Sequence, residues 1–184
     1  MERTKLLLAI LLVVVAFALV FTSVRTATIA DNTTPGLLPA EQVKTAPDFT
    51  LPDAATGKPY HLQAEAQARP VVLDFWATWC GPCREELPHL VTLSKRYAGR
   101  VDFRGINSSD PPPRIVAFAK TNGISFPNLS DARHQTAAAY GADAIPLLVV
   151  VDTHGKARSV TDGFDPDIDT NLPKVLDTLL AERK

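Results

Sequence analysis

Cysteine is scarce in this chain: 184 residues hold only Cys80 and Cys83. Two thiols cannot complete a four-thiolate zinc site, so the pair has to be read for what two sulfurs do together. Histidine is also thin. His61, His89, His134 and His154 are scattered without ligand spacing and read as surface residues, so no metal and no cofactor is expected. An excess of positive charge is missing too. The formal net charge is −1, and leaving out the first 25 residues leaves 19 acidic against 16 basic side chains, a net of −3. With no basic patch in that remainder, nucleic acid is not an expected partner. What the chain does have is 46% hydrophobic residues, ample for the core of one domain of ordinary size plus a terminal segment.

One long apolar run stands at the start. Residues 6–21 are 16 uncharged apolar residues, or 19 with Thr22, Ser23 and Val24, behind Arg3 and Lys5. A secretory core is about 7 to 15 residues and a spanning helix about 17 to 25, so the length favours an uncleaved membrane anchor over a cleaved signal. The small-x-small pattern at Thr28-Ile29-Ala30 keeps cleavage and secretion open as the alternative. Basic residues ahead of the run place the remainder outside the cytoplasm, at the periplasmic or extracellular face. The expected organisation is an anchor or signal at 1–25, a flexible linker at 26–45, and one domain at 46–184.

The cysteines lie in the stretch 71–90, VVLDFWATWCGPCREELPHL. Residues 71–76 are β-branched, apolar or aromatic except for Asp74, which predicts a strand buried on both faces. From Cys80 the spacing turns helical through Leu87, Leu90, Val91 and Leu93, and Glu85 and Glu86 suit a helix N-terminus. A cysteine at such a terminus faces unpaired backbone N–H groups, which favour the nucleophilic thiolate. Cys83, one turn later, is close enough to resolve a mixed disulfide formed at Cys80. A purely structural disulfide is the other reading of the pair. Asp74 is costly to bury as a charge, so its pKa is expected to rise, and it is placed to exchange protons with Cys83; alternatively it reaches solvent or a hydrogen-bond donor.

The rest of the chain supplies a sheet and its cover. Residues 48–51 and 59–62 read as a hairpin turning at Gly57, 101–107 as a strand, and 113–122 as a helix started by the proline triplet. A short strand near Phe126-Pro127 and an Ala-rich helix within 131–140 follow. Residues 144–152 form the next central strand, then comes a turn at His154-Gly155 and a strand ending near Gly163-Phe164. Ile168, Leu172, Val175, Leu176, Leu179 and Leu180 recur at helical spacing. The order gives an α/β fold with a mixed sheet.

FWATWCGPC, with Asp74 six residues before Cys80 and Pro88 eight after it, resembles the active site of the thioredoxin superfamily. The leading hairpin and the central helix and strand resemble the additions of its TlpA/ResA-like membrane-anchored thiol-disulfide oxidoreductases. The resemblance covers roughly residues 46 to 181. It implies a thioredoxin-like fold, a central mixed β-sheet flanked by helices, with an N-terminal β-hairpin extension and a central helix-strand insertion. It also implies that Cys80 attacks, Cys83 resolves, and Asp74 handles protons. Ile145-Pro146 resembles the family's cis-proline, which offers backbone to an extended substrate, although Leu147 replaces the usual Thr after it. Trp79, Gly81, Pro82 and Ile145 then line the substrate side, with Trp79 the exposed tryptophan and Trp76 the packed one.

Gly81-Pro82 is the pairing of reducing thioredoxins, near about −270 mV against about −120 mV for a strongly oxidising relative. The function implied is reduction of disulfides in exported proteins, cytochrome c maturation being the family's commonest assignment, with a membrane thiol reductase as electron donor. The alternatives are an oxidising disulfide donor of the same fold, a copper chaperone, or a peroxidase. A chaperone needs a partner His and a wider Cys spacing. Peroxiredoxins carry Thr three and Pro seven residues before the nucleophile, where this chain has Ala77 and Leu73.

Overall fold

The computed structural model describes residue 34 and residues 36–182. The apolar run 6–21 lies outside the described residues, and among those described no helix is long and apolar enough to cross a membrane. In chain order the elements are β1 (Lys44–Thr45), β2 (Thr50–Pro52), β3 (Pro59–His61), α1 (Leu62–Ala66), β4 (Val71–Phe75), α2 (Gly81–Arg96), β5 (Asp102–Asn107), α3 (Pro112–Thr121), β6 (Asn128–Ser130), α4 (Gln135–Tyr140), β7 (Leu147–Val151), β8 (Lys156–Asp162) and α5 (Ile168–Glu182).

Six strands make one mixed sheet in the order β1-β8-β7-β4-β5-β6, and β2 and β3 pair separately as the hairpin. β4, β5 and β6 run parallel, while β7 is antiparallel to β4 and β8 to β7. All five residues of β4 are buried, as expected for a strand covered on both faces. Its alternation sends Val72, Asp74 and Trp76 toward one face and Val71, Leu73 and Phe75 toward the other. On the first face they join Leu87, Leu90 and Leu93 of α2 and Leu172, Val175 and Leu176 of α5. On the second, Leu73 and Phe75 pack with Leu51 and Tyr60 of the hairpin and Ala137 of α4. Asp74 thus faces α2 from the centre of the sheet.

Gly105 shows how tightly the sheet is filled beside that centre. A side chain there would run into the Trp76 indole and the Asn128 amide, which hydrogen-bond across β5 at 3.0 Å. The hairpin covers the β6 edge: Ala54 N–H donates to the Asn128 carbonyl at 2.8 Å, and Asp53 bridges Leu129.

The expected linker ends earlier than residue 45. Leu38 N–H donates to the Arg158 carbonyl at 2.7 Å, residues Ala40–Gln42 form a 3-10 turn, and β1 pairs with β8 through Lys44↔Ala157 and Thr45↔Lys156. A strand of two residues leaves no periodicity to read. What fixes it is the otherwise free edge of β8, whose backbone groups need partners. β7 likewise begins at Leu147, later than the expected 144, because Pro146 has no N–H to offer the ladder.

Candidate active site

The disulfide sits where β4 hands over to α2. Trp76 N–H is still held by the Ile106 carbonyl at 3.1 Å, and four residues later the chain enters the helix. Cys80 is the N-cap: its backbone is extended (φ −75°, ψ 111°) and its Sγ accepts from the Cys83 N–H at 3.2 Å. Sulfur here takes the place a serine or aspartate oxygen fills at other helix starts, so helix N–H groups favour negative charge on Cys80 Sγ. Cys80 and Cys83 form a disulfide with Cα atoms 5.3 Å apart. Gly81 and Pro82 occupy the first helical positions and are exposed, and proline fits where an N–H would find no partner.

Exposure barely separates the two cysteines. In the disulfide form Cys80 is 3% and Cys83 1% exposed, so what distinguishes them is position at the cap. Trp79 is 63% exposed beside them, whereas Trp76 is buried. The Ile145-Pro146 peptide is cis, and the Ile145 carbonyl oxygen lies 3.6 Å from Cys80 Sγ. Trp79, Ile145, Ser108, Ser109, His134 and Asp143 line a groove of about 240 Å³ next to the disulfide. A larger cleft of about 340 Å³ lies between the hairpin and α4; neither cysteine lines either space, but only the smaller one takes in Trp79 and Ile145.

Beneath the disulfide are two buried carboxyl groups. Asp74 is 3% exposed, and burial followed by repulsion from Glu86 raises its pKa well above the ordinary value. Glu86 is also buried, and desolvation, then Asp165, pushes it up from 4.5 to about 7. Asp74 Oδ2 and Glu86 Oε2 have no hydrogen-bond partner among the described residues. Desolvation is therefore not offset, and both groups favour the protonated form. The reading of Glu85 and Glu86 as a pair suited to the helix N-terminus does not hold: neither lies in the first turn, and Glu85 is exposed while Glu86 is buried. Glu86 lies three residues after Cys83 and four before Leu90, on the stripe that turns inward.

A third acid was not visible in the sequence. Asp110 follows β5 and accepts from Thr78 N–H at 2.8 Å, Thr78 Oγ1–H at 2.8 Å and Asn107 Nδ2–H at 3.0 Å, with Arg114 Nε at 3.2 Å. Burial alone would raise its pKa, but these donors together hold it below the ordinary carboxylate value. No spacing rule connects it to Thr78, which is 32 residues away. No group of three or more His, Cys, Asp or Glu suited to a metal occurs among the described residues.

A cysteine pair capping a helix at the end of a central strand, opposite a cis-proline, defines a thioredoxin-like redox domain. The chain belongs to the Redoxin family, which it matches over residues 41–179. It is 33% identical over 120 residues to thiol-disulfide oxidoreductase ResA of Geobacillus thermodenitrificans, covering 65% of this chain and 68% of the relative. Among solved structures it is similar to peroxidoxin BcpB from Mycobacterium tuberculosis, at 33% identity and a TM-score of 0.64, covering 77% of this chain and 97% of that one. It is also similar to a secreted Mycobacterium tuberculosis disulfide oxidoreductase homologous to Escherichia coli DsbE, at 26% identity and a TM-score of 0.59, covering 72% and 95%. With the ResA-like relatives and the Cys80–Cys83 pair, the chain is a thiol-disulfide oxidoreductase.

Proposed function

We propose that this oxidoreductase works outside the cytoplasm, held there by the apolar run 6–21, and reduces disulfides in exported proteins, apocytochrome c among them. The observation that carries the reading is the pairing of a helix-capping sulfur beside an open backbone carbonyl with two protonatable carboxyls beneath it. In the reduced protein, Cys80 thiolate attacks one sulfur of the client disulfide. A bond forms between Cys80 and the client, and the client's other sulfur leaves with the electron pair. Cys83 then loses its proton and attacks Cys80 Sγ. The Cys80–Cys83 bond forms, and the second client sulfur leaves as a thiolate.

Asp74 and Glu86 receive the Cys83 proton as a pair. Burial raises Asp74 well above the ordinary carboxylate value and Glu86 to about 7, so the pair keeps room for a proton near neutrality. Trp79 and Ile145 dock the client, the Ile145 backbone serving as a short β partner for an extended segment. Two electrons from a membrane thiol reductase return Cys80–Cys83 to the dithiol.

Gly81-Pro82 supports the reducing direction. The equilibrium potential of the pair is expected near about −270 mV, and a value near about −120 mV would replace this reading with an oxidising disulfide donor. The similarity to a peroxidoxin is one of fold and sequence; Ala77 and Leu73 stand where a peroxiredoxin would carry Thr and Pro. The anchor is expected to keep the intact protein with membranes through carbonate extraction. A mature N-terminus near Asp31 would mean a cleaved signal and a secreted domain.

A further inference from the structure

Thr78 is gripped from both sides of its peptide. Its N–H and hydroxyl donate to Asp110, and its carbonyl accepts from Arg84, whose Nε lies at 3.0 Å and whose second guanidinium nitrogen also reaches it. Arg84 in turn lies over the Phe118 ring, 5.6 Å from its centroid. Asp110 is fixed from behind: its own N–H donates to Asn107 Oδ1 at 2.8 Å, and the Asn107 amide donates back to its carboxylate at 3.0 Å. Asn107 Oδ1 also accepts from Ser109 N–H at 3.0 Å. The side chains so tied flank the groove, with Trp79 next to Thr78 and Ser108 and Ser109 between Asn107 and Asp110.

We propose that Asp110 is a positioning residue for client exchange: through Thr78 it fixes Trp79 and the Ser108-Ser109 loop as the two walls that receive the client segment flanking its cysteine. The inference rests on the reading of Cys80 as the client-facing sulfur. The chemistry of the clamp requires a carboxylate. Four donors converge on two oxygens, so a carboxamide in the same place must turn its own N–H groups toward a donor. Freed of Asp110, Thr78 keeps only the Arg84 contact at its carbonyl, and the groove loses its fixed width. A small disulfide needs only the Cys80 sulfur. A protein disulfide needs the groove as well, so the two substrates separate positioning from chemistry.

The test compares the reduced full-length protein with Asp110→Asn, Thr78→Val and Thr78→Ser, using insulin and 5,5′-dithiobis(2-nitrobenzoate) as the two disulfides. Asp110→Asn is expected to slow exchange with insulin by about tenfold while changing the small-disulfide rate by less than about twofold. Thr78→Val should give a smaller loss in the same direction, and Thr78→Ser, which keeps the hydroxyl, should match wild type. Far-UV circular dichroism shows which variants fold; if Asp110→Asn does not, the Val and Ser pair at Thr78 decides. Rates that fall in parallel for both disulfides, or insulin rates unchanged in folded variants, would overturn the clamp. A wild-type protein inert toward both disulfides would overturn the functional reading itself, and the clamp with it.

Discussion

Two sets of buried acids flank the same cysteine pair and behave in opposite ways. Asp110, on the outer side of the active-site turn, is ringed by donors from Thr78, Asn107 and Arg114, and its pKa is lowered. Asp74 and Glu86, under the helix, each have an oxygen without a partner, and their pKa values are raised. All three side chains are largely hidden from solvent, but Asp110 lies nearer the surface, beside the exposed Arg114. Depth and the donors present together decide the charge of a carboxyl group near this disulfide. One region uses an acid as a fixed anion that holds backbone, and the other as a reservoir for protons.

The sharpest way to break the contrast is to remove the acids one at a time and measure stability at neutral pH by denaturant unfolding. Asp110→Ala should cost about 3 kcal/mol, because it strands the buried donors of Thr78 and Asn107. Asp74→Asn should leave stability unchanged or raise it by about 1 kcal/mol, since it removes a group that gains nothing from being ionised there. Equal losses at both positions would erase the distinction.

Kinetics should divide the other way. In Asp74→Asn, and more so with Glu86→Gln added, resolution of the mixed disulfide by Cys83 is expected to slow by about 100-fold, while the first attack by Cys80 changes little. Cys83→Ser gives the limit, accumulating mixed disulfides through Cys80, and Cys80→Ser should trap none. Stopped-flow measurements of both steps across about pH 6 to 9 would show this. Unchanged resolution in Asp74→Asn, with stability lost, would make Asp74 a structural residue only.

A smaller effect concerns pH and stability, and its sign follows from the shifts. Glu86 is raised from 4.5 to about 7 on folding, so the folded state holds its proton more tightly than the unfolded state. Its contribution is fully present below about pH 4.5 and is lost as pH rises through about 7. Asp110 is lowered from 3.8, so its contribution is present above that value and is lost as pH falls through the lower folded one. Glu86→Gln should flatten the stability profile between about pH 4.5 and 7 by about 1 to 2 kcal/mol and leave the limb below that range alone. The smallest expected change is at His134, whose φ of 57° lies in the left-handed region at the groove wall. His134→Gly should stabilise by about 0.5 to 1 kcal/mol if relief of that backbone outweighs glycine's entropy, read as a small rise in melting temperature.

The contrast also marks what sequence could disclose. The motif FWATWCGPC, the lone Asp in an apolar strand and the Ile-Pro pair place Cys80, Cys83, Asp74, Trp79 and Pro146 together, because each signal is local or sits at a fixed distance from the cysteines. Glu86 was within reach, since its spacing from Cys83 and Leu90 puts it on the inward stripe of α2, but its charge invited an outward reading. Asp110 was not legible. Its partner Thr78 is brought to it by the parallel pairing of β4 and β5, and nothing within either segment announces the meeting. The docking of β1 on β8 was hidden for the same reason: a strand of two residues exists only because a distant edge accepts it.

The contrast in protonation is tested most directly by carbon-detected nuclear magnetic resonance titration of the side-chain carboxyl carbons in protein labelled at aspartate and glutamate, assigned with the Asp74→Asn, Glu86→Gln and Asp110→Asn variants. The account predicts an Asp74 that titrates well above the ordinary carboxylate value, a Glu86 near its midpoint at about pH 7, and an Asp110 ionised down to below the usual carboxylate range. An Asp74 that titrates at or below the ordinary carboxylate value, or an Asp110 that titrates together with it, would contradict it.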